Sequence, residues 1–290
     1  MNSFHWQESL SQMKVWDMNK MAVIDLDDTL LAPDKEISQS NLDALRALRK
    51  NKFEIIIASG RHHRNILSYE NRIGRQGWVI SSNGAVVRHA QTSAMLHELT
   101  LTPAQALDVY SYATERNLAL IAYHRDGAFA EQESEWTQRY ARNAGWQPQL
   151  RDLSVLARTG IQKLLLIHSP PIIDAIQPEA QELFGSEMYV VRTENDILEV
   201  AAPATNKALG ARAVATRLGI ESQDVIAFGD GNNDVELLSW AGVSVAMDHG
   251  RESARRAAKL ISPPGLPGTA FARAVQAVLQ RPAKSTLNGI

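Results

Sequence analysis

The stretch Asp25-Leu26-Asp27-Asp28-Thr29-Leu30-Leu31 follows directly on the apolar run Met21-Ala22-Val23-Ile24. A short apolar run of this kind reads as a buried strand. Three carboxylates within four residues then crowd its carboxyl end. Like charges so close repel, and burying them is costly unless a positive charge compensates. The position is informative, because open parallel sheets bind ligands outside the carboxyl ends of their strands. Strand alternation places Asp25 and Asp27 on one side and turns Asp28 away.

Working outward, strand and helix patterns alternate. ISQSNLDALRALRKN (37–51) carries Leu42, Leu45 and Leu48 at helical spacing, with Ser38 as N-cap. FEIIIAS (53–59) reads as a second strand, RHHRNILSYENRIG (61–74) as a helix ending at Gly74, and GWVISSNGA (77–85) as a third strand. The alternation resumes after about residue 205. NKALGARAVATRLGI is helical, DVIAFGD a strand, NDVELLSWAG a helix and VSVAM a strand. RESARRAA, KLIS and TAFARAVQAVLQ follow as helix, strand and helix. This pattern predicts an α/β fold with a doubly wound parallel sheet.

Residues 85–194 read differently. GAVVRHA with MLHELT, and the two arms of LALIAYHRDGAFAE around its Asp126-Gly127 turn, suggest hairpins. Further strands are expected in IQKLLLIHS and EMYVVRTENDILEVA. Helices are expected in PAQALDVYSYATERN and PIIDAIQPEAQELFG. The domain expectation is a core of 19–84 with 195–282, an inserted α+β domain of 85–194, a leader of 1–18 and a tail of 283–290. The leader holds Trp6 and Trp16. Two readings stand for it: an amphipathic helix that packs on the domain or a partner, or a start-site artefact with translation beginning at Met18 or Met21. The tail has little to bury and is expected to fray.

Composition excludes several classes. The 290 residues contain no cysteine, so disulfides, thiolate catalysis and thiolate metal sites are ruled out. The formal net charge of −2 gives no electrostatic case for nucleic acid or an anionic membrane. No apolar run approaches the ~20 residues of a membrane helix. The N-terminus lacks a signal-peptide pattern. A cytoplasmic protein is expected.

The polar residues at the strand ends form one constellation. The first strand offers Asp25 and Asp27. The second leads into Ser59-Gly60-Arg61. The strand DVIAF leads into GDGNND, with Asp230, Asn233 and Asp234. Lys207 opens the helix before it. Carboxylates without histidine or cysteine at their centre suit a hard cation with oxygen ligands, and Mg²⁺ is the natural candidate. Lysine, hydroxyl and loop amides suit a phosphate dianion.

These motifs resemble, in order, the four signatures of the haloacid dehalogenase superfamily: DLDDT, ASGR, Lys207 and GDGNND. The large insert and the SSNGA at its start are similar to the Cof-type subfamily of capped sugar-phosphate phosphatases. The resemblance spans Met21 to about Gln280. It implies a Mg²⁺-dependent phosphatase that hydrolyses small phosphorylated metabolites through an aspartyl-phosphate. Asp25 is implied as nucleophile, and Asp27 as general acid and then base, its carbonyl meeting the metal. Asp230 is an implied direct metal ligand, and Asp234 is implied to act at the metal through water. Ser59, Lys207, Asn233 and the amides of Leu26 and Gly60 are implied to hold phosphate.

The chain departs from the pattern at Asp28, where glycine is frequent, at His62-His63 after the Gly-Arg pair, and at Asp248-His249. Asp28 is read as a loop bystander. His62 and His63 are read as first-turn helix residues, one of them exposed. Asn83 either touches substrate or caps its turn. Arg61 either bridges core acids or meets substrate. In the insert, His124, Arg125 and Arg139 read as surface residues, and Lys163 is the strongest substrate-contact candidate. Two rivals stand beside the phosphatase: a phosphomutase of the same superfamily, and a non-catalytic sugar-phosphate-binding module.

Overall fold

The structure, a computed structural model, describes residues 20–74 and 77–280. The expectations for the leader and the tail fall outside these. The strands are β1 Lys20–Asp25, β2 Phe53–Ala58, β3 Trp78–Ser81, β4 Val86–His89, β5 Met95–Glu98, β6 Ala119–His124, β7 Gly127–Ala130, β8 Gln149–Leu150, β9 Ile161–Ile167, β10 Tyr189–Glu194, β11 Ile197–Ala201, β12 Val225–Gly229, β13 Val243–Ala246 and β14 Leu260–Ile261. The helices are α1 Gln39–Lys50, α2 His63–Arg72, α3 Pro103–Glu115, α4 Glu135–Ala144, α5 Leu153–Leu156, α6 Pro170–Phe184, α7 Lys207–Leu218, α8 Val235–Trp240, α9 Glu252–Ala257 and α10 Ala270–Leu279. The fold is α/β with a Rossmann-like core and an α+β cap. The described residues divide into two compact units, one drawn from the ranges 1–56 and 215–290 and the other from 57–214.

In the first unit the strand order is β14-β13-β12-β1-β2. The β1–β12, β12–β13 and β13–β14 pairs are all parallel. Every residue of β1 is buried, as the apolar run Met21–Ile24 within it requires of a strand covered on both faces. The register sets Ile24 beside Phe228, so Asp25 and Asp230 emerge together, one and two residues beyond that pair. Helix α1 buries Ala44, Leu45 and Leu48, and Ser38 caps it by accepting from the Asn41 amide. Such a cap is worth about 1 kcal/mol. The buried Asn41 donates to Leu30 O at 2.8 Å and accepts from Ala272 N at 3.1 Å. It thereby ties α1 to the turn after β1 and to α10.

In the second unit, Ile57 and Ala58 at the end of β2 pair in parallel with Val79 and Ile80. The antiparallel hairpin β4–β5 then extends from β3. A separate six-stranded sheet has the order β10-β11-β9-β6-β7-β8. Alternation along its strands makes two buried faces. Leu120, Leu164, Leu166, Leu198 and Val200 pack on α3 and α6 through Val109, Ile173 and Ile176. Ile121, Tyr123, Leu165 and Ile167 cluster with Tyr140 of α4.

Helix α4 was not expected from the sequence. Its segment EWTQRYARNA holds no leucine, isoleucine or valine, so the apolar period is carried by Tyr140 and the half-buried Trp136 and Ala144. A reciprocal capping box between Ser134 and Thr137 marks its start.

Candidate active site

In the first unit, one carboxylate oxygen each of Asp25, Asp230 and Asp234 lie within 4.8 Å of one another. Asp25 and Asp234 are buried, and Asp230 is half-buried. The loop after β12 is built to make this cluster. Asp234 Oδ2 accepts from the amides of Asp230 at 3.0 Å and Gly231 at 2.9 Å, folding the loop back on itself. Thr29 Oγ1 donates to Asp230 Oδ1 at 2.8 Å. A Cβ on Gly229 would stand 2.5 Å from Asp234 Cγ, so only glycine lets the carboxylate lie against this backbone. Three carboxylates with no nitrogen or sulfur donor fit a divalent cation that takes oxygen ligands. Asn233 is on the same loop, its Oδ1 packed 2.6 Å from where a Gly231 Cβ would stand.

Asp27 is half-buried, and its Oδ1 lies 3.0 Å from Lys35 Nζ. The sequence does not announce that partner, because nothing in the PDK context marks a lysine that turns back toward DLDD. Leu26 is fully buried. Asp28 is exposed at φ 56°, a left-handed conformation that explains why glycine suits the position. Its carbonyl accepts from His249 Nε2 at 2.8 Å. Asp248 is bound by Ser262 at 3.1 Å, by the Gly265 amide at 3.2 Å and by Arg273 at 3.1 Å. The Asp248-His249 departure thus braces loops. Asp28→Gly keeps the carbonyl and relieves the backbone. Activity is expected within about twofold of wild type and stability within about 1 kcal/mol, read from steady-state rates and thermal unfolding. A large fall in rate would give the Asp28 carboxylate a role.

In the second unit, Ser59 and Lys207 are both buried, and Lys207 is the first residue of α7. The SSNGA turn is pressed against that helix start. A Cβ on Gly84, at φ +96°, would lie 2.0 Å from Asn206 O. Asn83, at φ 55°, is buried and donates from Nδ2 to Glu199 Oε2 at 2.6 Å. Arg61 places its guanidinium 5.3 Å from the Tyr69 ring centroid and 3.4 Å from Tyr69 Oη. Lys163 is fully buried and donates to Gly60 O at 2.7 Å and Glu199 Oε1 at 2.8 Å.

Both histidines after the Gly-Arg pair are buried, which corrects the expectation that one is exposed. His62 stacks 4.9 Å from Trp146 and meets Tyr123 edge-on. Its Nε2 donates to His124 O at 2.9 Å, and its Nδ1 accepts from Arg64 N at 3.3 Å. Burial lowers the pKa of each to about 4. His124, Arg125 and Arg139 of the insert also have structural partners. His124 Nε2 lies 3.2 Å from Thr159 O, Arg125 pairs with Glu98, and Arg139 lies 3.1 Å from Asp196.

Comparison with known proteins agrees with the fold. The profile of the haloacid dehalogenase-like hydrolase family matches residues 22–264. A provisionally named phosphatase of Haemophilus influenzae is 31% identical over 228 residues, 78% of this chain and 84% of its own. The HMP-PP phosphatase of Cronobacter sakazakii is 26% identical over 230 residues, 79% of this chain and 84% of its own. Among solved structures, a provisionally named HAD/COF-like hydrolase of Plasmodium vivax superposes with a TM-score of 0.83 at 21% identity, covering 94% of this chain and 98% of that one. The chain belongs to the haloacid dehalogenase-like hydrolase family. Its activity is that of a phosphoric monoester hydrolase.

Proposed function

We propose that the protein is a Mg²⁺-dependent phosphatase of small phosphorylated metabolites, with sugar phosphates as the default class, working in the cytoplasm. The observation that carries this reading is the carboxylate triad at the ends of β1 and β12. Mg²⁺ held there would neutralise charge on the transferring phosphoryl group. Among the described residues, no helix is long and apolar enough to cross a membrane.

The proposed chemistry has two steps. An Asp25 carboxylate oxygen attacks phosphorus as the bond to the leaving oxygen breaks, and Asp27 gives that oxygen its proton. Water then attacks phosphorus as its bond to the Asp25 oxygen breaks, Asp27 takes the water's proton, and phosphate leaves with the Asp25 carboxylate restored. Lys207, Ser59, Asn233 and the amides of Leu26 and Gly60 are the proposed phosphate donors. The proposed core is 19–84 with 195–282, and the insert 85–194 selects the leaving group.

A phosphate-release panel tests the reading. It covers sugar phosphates, nucleotides, pyridoxal phosphate, phosphoglycolate and, given the named relatives, HMP-PP. Release should require Mg²⁺ and be abolished by chelation. An isomeric ester from a hexose phosphate would identify a mutase. Tight ligand binding with no hydrolysis across the panel would identify a binding module.

A further inference from the structure

The loop Ser59-Gly60-Arg61 has all three of its carbonyls held from within the second unit. Ser59 O accepts from Asn83 N at 3.1 Å, Gly60 O from Lys163 Nζ at 2.7 Å, and Arg61 O from Ser82 N at 2.9 Å. In a trans peptide the N–H points opposite to the C=O. Pinning Ser59 O therefore aims the Gly60 amide the other way. Pinning Gly60 O likewise aims the Arg61 amide, which donates to Ser59 Oγ at 3.1 Å. Asn83 also limits the loop directly, since a Cβ on Gly60 would lie 2.9 Å from Asn83 Oδ1. The direction of the loop's donors is set by what holds residues 83 and 163.

Both are held by one carboxylate. Glu199, buried on β11, accepts from Lys163 at 2.8 Å and Thr193 at 3.2 Å on Oε1, and from Asn83 at 2.6 Å on Oε2. It sits in the otherwise apolar strand ILEVA. Its register partner on β9 is Leu165, so Lys163, two residues back, projects on the same face. Burying a carboxylate and an ammonium yields little net stability compared with apolar residues of the same size. Such a pair needs another reason to be there. Burial pushes the Lys163 pKa down and Lys207 lowers it further, while Glu199 opposes both.

We propose that Glu199 is a positioning residue for phosphoryl transfer: by holding Lys163 and Asn83 it orients the Ser59-Gly60-Arg61 loop for the phosphate group. This rests on the proposed reading of Ser59 and Gly60 as phosphate donors.

The test measures competitive inhibition by inorganic phosphate and orthovanadate, kcat and KM, and Mg²⁺ dependence, in four full-length variants. Glu199→Gln is expected to weaken phosphate and vanadate binding about 10-fold or more, with the Mg²⁺ requirement unchanged. Lys163→Met should do the same. The Glu199→Gln/Lys163→Met double variant should lose no more than the worse single one, because all three break one clamp. The double variant removes both buried charges, so it decides the matter if Glu199→Gln alone fails to fold. Ser59→Ala separates the two levels of inference. If Ser59→Ala weakens phosphate binding while the folded Glu199 variants stay within twofold of wild type, the role of Glu199 is overturned and the loop reading stands. If Ser59→Ala also leaves binding unchanged, the loop reading itself fails. Losses confined to Mg²⁺ affinity would likewise overturn the proposal.

Discussion

Asp25→Asn is expected to abolish phosphate release, by roughly 10³-fold or more, while leaving the fold intact. The substitution changes almost no volume, so the β1 packing that leaves Asp25 5% exposed is preserved. What it removes is the negative oxygen that would attack phosphorus, and an amide is a far poorer nucleophile. The stability change has a definite sign. Three carboxylate oxygens within 4.8 Å repel one another when no cation is bound. The metal-free variant should melt no lower than the metal-free wild type. The upward shift in Tm on adding Mg²⁺ should shrink, because one ligand has been neutralised. Calorimetry with and without Mg²⁺, alongside a phosphate-release assay, reads both effects. Full turnover in the variant would remove Asp25 as nucleophile. An intact metal-induced shift would remove its carboxylate from the metal cluster.

The acid triad was legible because its causes are local. An apolar run ending in Asp25 and another ending in Gly229-Asp230 each announce a strand and a charged rim. Pairing them in parallel needs only the βα alternation that the helix patterns supply. The second unit was legible as elements more than as chemistry. Its strands and two large helices hold aliphatic residues such as Val109, Ile173 and Ile176, whereas α4 builds its apolar face from aromatic and small residues. Glu199 was missed because a glutamate within an apolar strand reads as a residue of its solvent face. Only the sheet register brings it to Lys163, and only the turn at Asn83 completes its partners. The burial of both His62 and His63, where one was expected to be exposed, has a related cause. Two polar residues opening a helix suggest solvent, but Trp146 and His124 cover His62 from more than sixty residues away. Long-range cover leaves no trace in the local pattern.

That cover sets the second large effect, a loss of stability in mild acid. Burial is the main cause of the low pKa of about 4 at both His62 and His63. Arg64, Lys163 and His124 add to it at His62, where the bond to the His124 carbonyl opposes it. Arg88 and His62 add to it at His63. The hydrogen bonds of His62 point the same way, since an Nδ1 that accepts from Arg64 N cannot also carry a proton. His63 Nδ1 is buried without a hydrogen-bond partner. Above the ordinary histidine pKa of about 6.5, both states are neutral and the two residues add no pH dependence. As pH falls from 6.5 toward 4, the unfolded chain binds protons that the folded chain refuses, so the unfolded state is favoured. The ceiling is on the order of 3 kcal/mol for each histidine. His97, lowered by burial, acts in the same direction. Glu98 is also below its ordinary value: burial raises it, but hydrogen bonds from Arg125 and Gln162 outweigh that. Its contribution is lost only below about pH 4.5, outside the interval in which the histidines act. Tm is therefore expected to fall steadily between pH 6.5 and 4.5, and His62→Leu and His63→Leu should each flatten the slope. A slope unchanged in both variants would assign the acid sensitivity to other groups.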